Sequence, residues 1–168
     1  MADRIRSFPP IAERSAETLI LGSMPGEASL AAGQYYAHPR NAFWRILGTL
    51  LRFDPALGYA ARVRALKAAR IAVWDVLQAC ERKGSLDSSI DRATLEANDF
   101  AGFFRRHPRI RRVFFNGSTA EACFERYVMK HVVLGHVSFT RLPSTSPAHA
   151  ARSFQDKLEA WRVVAPVK

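Results

Sequence analysis

Three short apolar runs constrain this chain more than any other feature. Thr18–Leu21, Ile71–Leu77 and Arg111–Phe115 are each of strand length, rich in branched and aromatic residues, and set far apart in the sequence. The stretches between them are long enough to hold helices. Strands that alternate with helices form a parallel sheet covered on both faces. Right-handed crossovers then bring the loops that follow the strands to one edge, where such folds bind ligands. Val132–Leu134 and Val137–Leu142, separated by Gly135, are candidates for further strands. The expected architecture is a three-layer α/β/α sandwich around a mainly parallel sheet of about four strands, with residues 1–168 forming one domain.

Helical spacing is expected over Ala42–Leu51, with Phe43, Ile46, Leu47 and Leu50 on one face. Tyr59–Arg70, Thr94–Arg106, Thr119–Tyr127 and Phe154–Val164 also read as helices, the second of these ended by His107-Pro108. Residues 1–16 read as a polar lead-in with Phe8 and Ile11 tucked onto the domain. The polar segment Glu81–Asp91 reads as a loop long enough to matter functionally.

Composition narrows the partners. The chain carries a formal charge of +10, and twenty of its 25 Lys and Arg residues are Arg. Guanidinium forks suit phosphate, so nucleic acid is favoured over a merely solvated basic surface. Cys80 and Cys123 are far apart and form no CxxC, which argues against a disulfide framework, a zinc site or a four-cysteine cluster. The five His are scattered, and no metal or other cofactor is expected. No run is long enough for a membrane span, and the N-terminal residues lack an apolar signal core. A cytoplasmic monomer is the expectation.

The loops that follow the strands carry the candidate chemistry. After Thr18–Leu21 comes Gly22-Ser23-Met24-Pro25-Gly26, a turn allowing close backbone approach, and then Tyr35, Tyr36, His38, Arg40, Asn41, Phe43 and Trp44. The turn lacks GK[ST], GxGxxG and GxSxG, so it is neither a phosphate loop, a dinucleotide fingerprint nor a nucleophile elbow. Tyr36 is the expected stacking surface, whereas Phe43 and Trp44 at helical spacing read as core. Asn41 suits a helix cap as well as a site role. Trp74-Asp75 ends a buried run, an unusual place for a carboxylate unless it caps a helix or meets an Arg. Asn116 is either a turn former or a hydrogen-bonding group at a strand end. Pro143-Ser144-Thr145-Ser146-Pro147 combines hydroxyls with fixed prolines, a composition suited to gripping phosphate.

GSMPG after a first strand, then YYAHPRNAFW, VWDVL, FNG and LPSTSP in that order, resemble the uracil-DNA glycosylase superfamily and most of all its DNA-deoxyinosine branch. The resemblance implies hydrolysis of the N-glycosidic bond of a deaminated base in DNA, with hypoxanthine the first choice and uracil the alternative. It implies that Asn41 orients water and that Gly22, Ser23, Met24, Tyr36, Trp74, Asp75 and Asn116 hold the flipped base. His38, Arg40, Ser144, Thr145, Ser146 and Pro147 would meet the DNA backbone. Met24 stands where mismatch-specific relatives carry an Asn, and Leu142 replaces the His of the family's HPSP loop, so neither of those roles transfers.

Other chemistries fit less well. A Schiff-base lyase needs a pocket lysine, yet Lys67, Lys83, Lys130, Lys157 and Lys168 all lie outside the motif loops. A serine hydrolase using Ser118 and His149 lacks the second glycine of the elbow. A non-catalytic nucleic-acid-binding module on the same sheet is the rival from another class.

Overall fold

The computed structural model describes residues 2–166. In chain order the elements are β1 (Asp3–Arg6), β2 (Thr18–Gly22), α1 (Glu27–Ala32), α2 (Phe43–Leu51), α3 (Tyr59–Ala68), β3 (Ile71–Asp75), β4 (Leu77–Arg82) and β5 (Ile90–Ala97). They continue with α4 (Phe100–Arg106), β6 (Arg112–Asn116), α5 (Ser118–Tyr127), β7 (Ser138–Leu142) and α6 (Phe154–Trp161). Four strands form the central sheet in the order β3-β2-β6-β7, every neighbouring pair parallel.

Strand alternation builds two cores from this one sheet. Leu19, Leu21, Ala72, Trp74, Val113 and Phe115 face α4 and α5, where Phe100, Phe103 and Phe124 cover them. Ile20, Ile71, Val73 and Phe114 face the other way and meet Phe43, Ile46 and Leu47 of α2, Leu66 of α3 and Trp161 of α6. All five residues of β2 are buried, because this strand has a neighbour on each side and helices on each face. The expected three-layer sandwich with a four-stranded parallel sheet is what the chain forms. Ile11 is buried and bridges to Val73, as the tucked lead-in requires.

A second sheet is absent from the sequence reading. Strands β1, β4 and β5 pair antiparallel in the order β1-β4-β5. The apolar run Ile71–Leu77 therefore breaks at Val76 and feeds two sheets. The helix expected over Thr94–Arg106 begins only at Phe100, because Ile90–Ala97 pairs with β4. Thr94, Leu95, Glu96 and Ala97 suit a helix locally, but tertiary pairing decides. The polar lead-in likewise contains β1, and the presumed Glu81–Asp91 loop is a hairpin tip. Val132–Leu134 forms no strand; Val133 is 96% exposed. Asn41 lies one residue before the Ala42 N-cap position of α2, which itself starts at Phe43.

The two outcomes differ in energy. Phe115, 1% exposed between α5 and the sheet, should cost about 3–5 kcal/mol of unfolding free energy when truncated to Ala. Val133→Asp should change it by less than about 0.5 kcal/mol. Denaturant titration of both variants checks the placement, and a large loss in the second would restore the expected strand.

Candidate active site

Parallel register puts the strand ends level. Gly22 pairs with Asp75, Leu21 with Phe115 and Asn116 with Leu142, so the residues that end four strands stand side by side. A cavity of about 1150 Å³ opens at this edge. Of the residues expected to meet water, base or DNA backbone, all but Trp74 border it.

Gly22 has a specific reason to be glycine. A Cβ there would lie 2.5 Å from Asp75 Oδ1 and 2.8 Å from the Tyr36 hydroxyl. Both groups crowd over its Cα. Asp75 is 3% exposed, and among the described residues it meets no basic partner in an ion pair and caps no helix. Among the described residues neither its Oδ2 nor the Tyr36 hydroxyl has a hydrogen-bond partner. Burial pushes the Asp75 carboxyl up to about 7; the charge of Asp87 adds to this and Arg82 opposes it. Burial also raises the Tyr36 phenol, with Asp75 reinforcing the effect. The Asn116 amide lies near enough to oppose that rise, but its Nδ2 is directed at Thr145. Two unsatisfied polar atoms on a cavity floor are a reservoir of binding energy for a ligand that satisfies both.

Tyr36 stacks on Phe43 with ring centroids 4.1 Å apart, leaving its other side toward the cavity. Its φ of 55° is rare for a tyrosine, and its neighbours are tied on both sides: Tyr35 N donates to the Tyr59 hydroxyl and Ala37 N to Ser29 Oγ. Tyr35 points into the core instead, where its hydroxyl donates to the Pro9 carbonyl at 3.0 Å. Phe43 and Trp44 are core residues, as their spacing predicts. Asn41 Oδ1 accepts from the Phe43 backbone N–H at 2.9 Å, which fixes the amide at the cavity border. His38 Nδ1 accepts from the Arg40 N–H at 3.1 Å, and Arg40 itself is exposed. Arg40, Arg141 and Arg152 border the cavity on this side, and Glu27 and Asp87 border it elsewhere.

Asn116 clamps the facing loop. Its Nδ2 donates to Thr145 Oγ1 at 3.0 Å, and its Oδ1 accepts from Thr145 N at 2.9 Å. The Trp161 indole donates to Pro143 O, and Thr145 O accepts from Ala42 N. Thr145 is therefore buried and held in place, and the residues Ser144–Pro147 border the cavity. Gly117, at φ 96°, turns the chain into α5 and donates to Leu142 O. Lys157, outside the motif loops in sequence, is nevertheless buried behind this one, with Nζ 3.4 Å from Ser146 O. It does not border the cavity.

Trp74 must be reassigned from base contact to core. Its neighbour Asp75 faces the α2 side, so alternation sends Trp74 to the α4 side, where it packs on Phe100 and Phe103. Its indole donates to Phe8 O at 3.1 Å. Residues missed by the sequence reading come from α1 and from the β4–β5 tip. Ser23 Oγ and Asp87 Oδ1 are 2.7 Å apart, and Ser85 accepts from Glu27 N. Only the length of the Glu81–Asp91 segment hinted at this. Among the described residues no three His, Cys, Asp or Glu side chains gather to hold a metal ion, and no helix is long and apolar enough to cross a membrane.

Residues 9–165 match the family model described as the uracil DNA glycosylase superfamily, and the chain belongs to that family. It is a DNA glycosylase, a hydrolase. A hypoxanthine DNA glycosylase of Methanosarcina barkeri (strain Fusaro / DSM 804) is 41% identical over 113 residues, 67% of this chain and 70% of the relative. A second, from Methanosarcina acetivorans, is 40% identical over 116 residues, 68% of this chain and 72% of the relative. The solution NMR structure of a Methanosarcina acetivorans protein described as a candidate uracil DNA glycosylase superposes with a TM-score of 0.81 at 34% identity, covering 96% of both chains.

Two outcomes follow from the crowded floor. Gly22→Ala should lose roughly 1–3 kcal/mol of stability through overpacking, together with activity, as read by denaturant titration and base release. Asp75 titrates higher folded than unfolded, so the folded state binds the extra proton and stability falls as pH rises from about 4 to about 7. Asp75→Asn should therefore raise the unfolding free energy at pH 8, by on the order of 4 kcal/mol at most, and give little gain at pH 4, as read by denaturant titration at the two pH values. An equal gain at both pH values would refute the buried carboxyl.

Proposed function

We propose that the chain releases hypoxanthine from DNA by hydrolysis and leaves an abasic site. The observation that carries this reading is the buried Asp75 carboxyl with one oxygen unpartnered on the cavity floor. Deamination turns a ring nitrogen from an acceptor into an N–H donor beside a carbonyl, in adenine and in cytosine alike. A carboxylate acceptor favours that altered edge, and the Tyr36 hydroxyl beside it can donate to the carbonyl. Hypoxanthine is chosen over uracil because the two Methanosarcina relatives carry that name.

In this mechanism the flipped base lies against Tyr36 with its edge on Asp75. Asn41, its amide pinned by Phe43 N, orients a water toward C1′ of the sugar. An amide is too weak a base to deprotonate that water. The C1′–N9 bond therefore breaks first in character, its electron pair leaving on the base. Water oxygen then bonds to the cationic C1′ and loses a proton, and the departed base anion takes up one proton, so that water's H and OH are divided between base and sugar. Rate acceleration comes from the organised electrostatics of the cavity, which stabilise the base as it leaves with the electron pair and the sugar as it becomes positive. His38, Arg40 and the hydroxyls of Ser144 and Ser146, which accept within their loop and keep their own protons to donate, hold the flanking phosphates. The active species is a monomer, and its two buried free cysteines suit a reducing cytoplasm.

The test is base release from matched duplexes carrying hypoxanthine, uracil or no lesion. Wild type should release hypoxanthine, and Asn41→Ala should lower that rate by roughly a hundredfold while DNA affinity holds. Uracil release alone would overturn the hypoxanthine reading. An unimpaired Asn41→Ala would remove the water-orienting role.

A further inference from the structure

Consecutive residues at the end of β2 each carry a carboxylate from elsewhere in the chain. Asp75 reaches over Gly22, where its Oδ1 leaves no room for a Cβ. Ser23, the next residue, donates its hydroxyl to Asp87 Oδ1 at 2.7 Å. Successive Cα atoms are only about 3.8 Å apart. Asp87 therefore stands beside Asp75, although it comes from the tip of the β4–β5 hairpin, and both border the cavity.

Contact with a cation neutralises neither of them. Among the described residues no Lys, Arg or His lies within ion-pair distance of Asp75 or Asp87. The hairpin's own buried cation, Arg82, gives hydrogen bonds to Gly84 O and Pro25 O and acts on the two carboxylates only through space. Two like charges side by side resist ionising together. Asp87 is exposed and Asp75 buried, so the charge stays on Asp87 and the proton on Asp75. Burial first and Asp87 second raise the Asp75 carboxyl to about 7, against Arg82. The phenols of Tyr35 and Tyr36, packed against the same floor, are raised by burial and stay neutral. Glu27 of α1 borders the cavity as a further carboxylate, and the basic side chains that border it, His38, Arg40, Arg141, His149 and Arg152, pair with neither Asp75 nor Asp87.

Ionised, Asp75 accepts from the ring N–H of a deaminated base. Protonated, it donates, and so meets the unaltered ring nitrogen of the amino base. We propose that Asp87 is a specificity-determining residue: held by Ser23 beside Asp75, it decides the acidity at which the cavity floor turns from accepting a deaminated base to accepting its amino parent. It is a positioning residue that acts through Asp75 and touches no reacting atom. The proposal rests on the reading of this cavity as the site of base release.

Asp87→Asn removes the charge and keeps an oxygen for the Ser23 hydroxyl. The Asp75 carboxyl carbon, followed by NMR in the free protein, should then titrate at lower pH by roughly half a unit or more. The acid limb of hypoxanthine release should move with it, about a threefold gain in rate on that limb, while the rate at pH 8 changes less than about twofold. At pH 6 free hypoxanthine should gain on free adenine as an inhibitor by a similar factor of about three. Asp91→Asn takes the same charge from the same hairpin, but Asp91 accepts from Ala93 N and does not border the cavity, so it should move none of these. An unmoved carbon titration, a moved titration with an unmoved rate profile or inhibitor ratio, or an equal shift in Asp91→Asn would each overturn the proposal. Uracil released in place of hypoxanthine carries the same N–H and carbonyl edge, and the same comparison on uracil duplexes then decides. If neither base is released, the proposal falls with the cavity reading, and a carbon titration that still answers to Asp87 shows that it was the reading, rather than the coupling, that failed.

Discussion

The close approach of Asp75 to Gly22 governs this molecule. Two parallel strands in register bring a carboxylate to within clash distance of a neighbouring Cα, and only a residue without a side chain permits it. The carboxylate then has little solvent and no cation in contact, and so holds its proton to about pH 7. Such an arrangement costs stability, which is the usual sign of a group retained for function. The rest of the site is laid around that pair. Tyr36 is bent into a left-handed conformation to reach it, and Phe43 of α2 supports the ring from behind.

Precision at the mouth comes from backbone hydrogen bonds, with few side chains left to find their own positions. Asn116 holds Thr145 from two atoms, Trp161 holds Pro143, and Ala42 N holds Thr145 O, so three secondary-structure elements fix one loop. On the far side Arg82, Ser23 and Glu27 fix the hairpin tip in the same manner. The cavity thus has one wall supplied by the parallel sheet's loops and a second supplied by a sheet that the parallel topology does not require.

The site was largely legible because its residues follow strands, and strand ends in a parallel sheet share an edge. Errors arose where a residue's face or partner mattered. Trp74 was read with Asp75 because they adjoin, yet adjacent strand residues point to opposite sides of the sheet. The residues of Thr94–Ala97 favour a helix locally, and pairing with β4 overrides them. Val132–Leu134 has the branching of a strand but has no neighbouring strand to pair with among the described residues. Asp87 was invisible, since nothing local marks a polar hairpin as the wall of a distant pocket.

By itself the sequence determined the periodicity of the apolar runs, the glycine-bearing turn, the basic charge and the ordered motifs. Those are properties of neighbouring residues and of composition, and they suffice for the layer architecture, the family and the edge on which the site lies. Tertiary structure decided which face each side chain serves, that Asp75 is buried without a counter-ion, and that a second sheet carries Asp87 to the cavity. Burial, register and the meeting of segments more than sixty residues apart, such as Ser23 with Asp87, are relations between distant parts of the chain, and they exist only once it has folded.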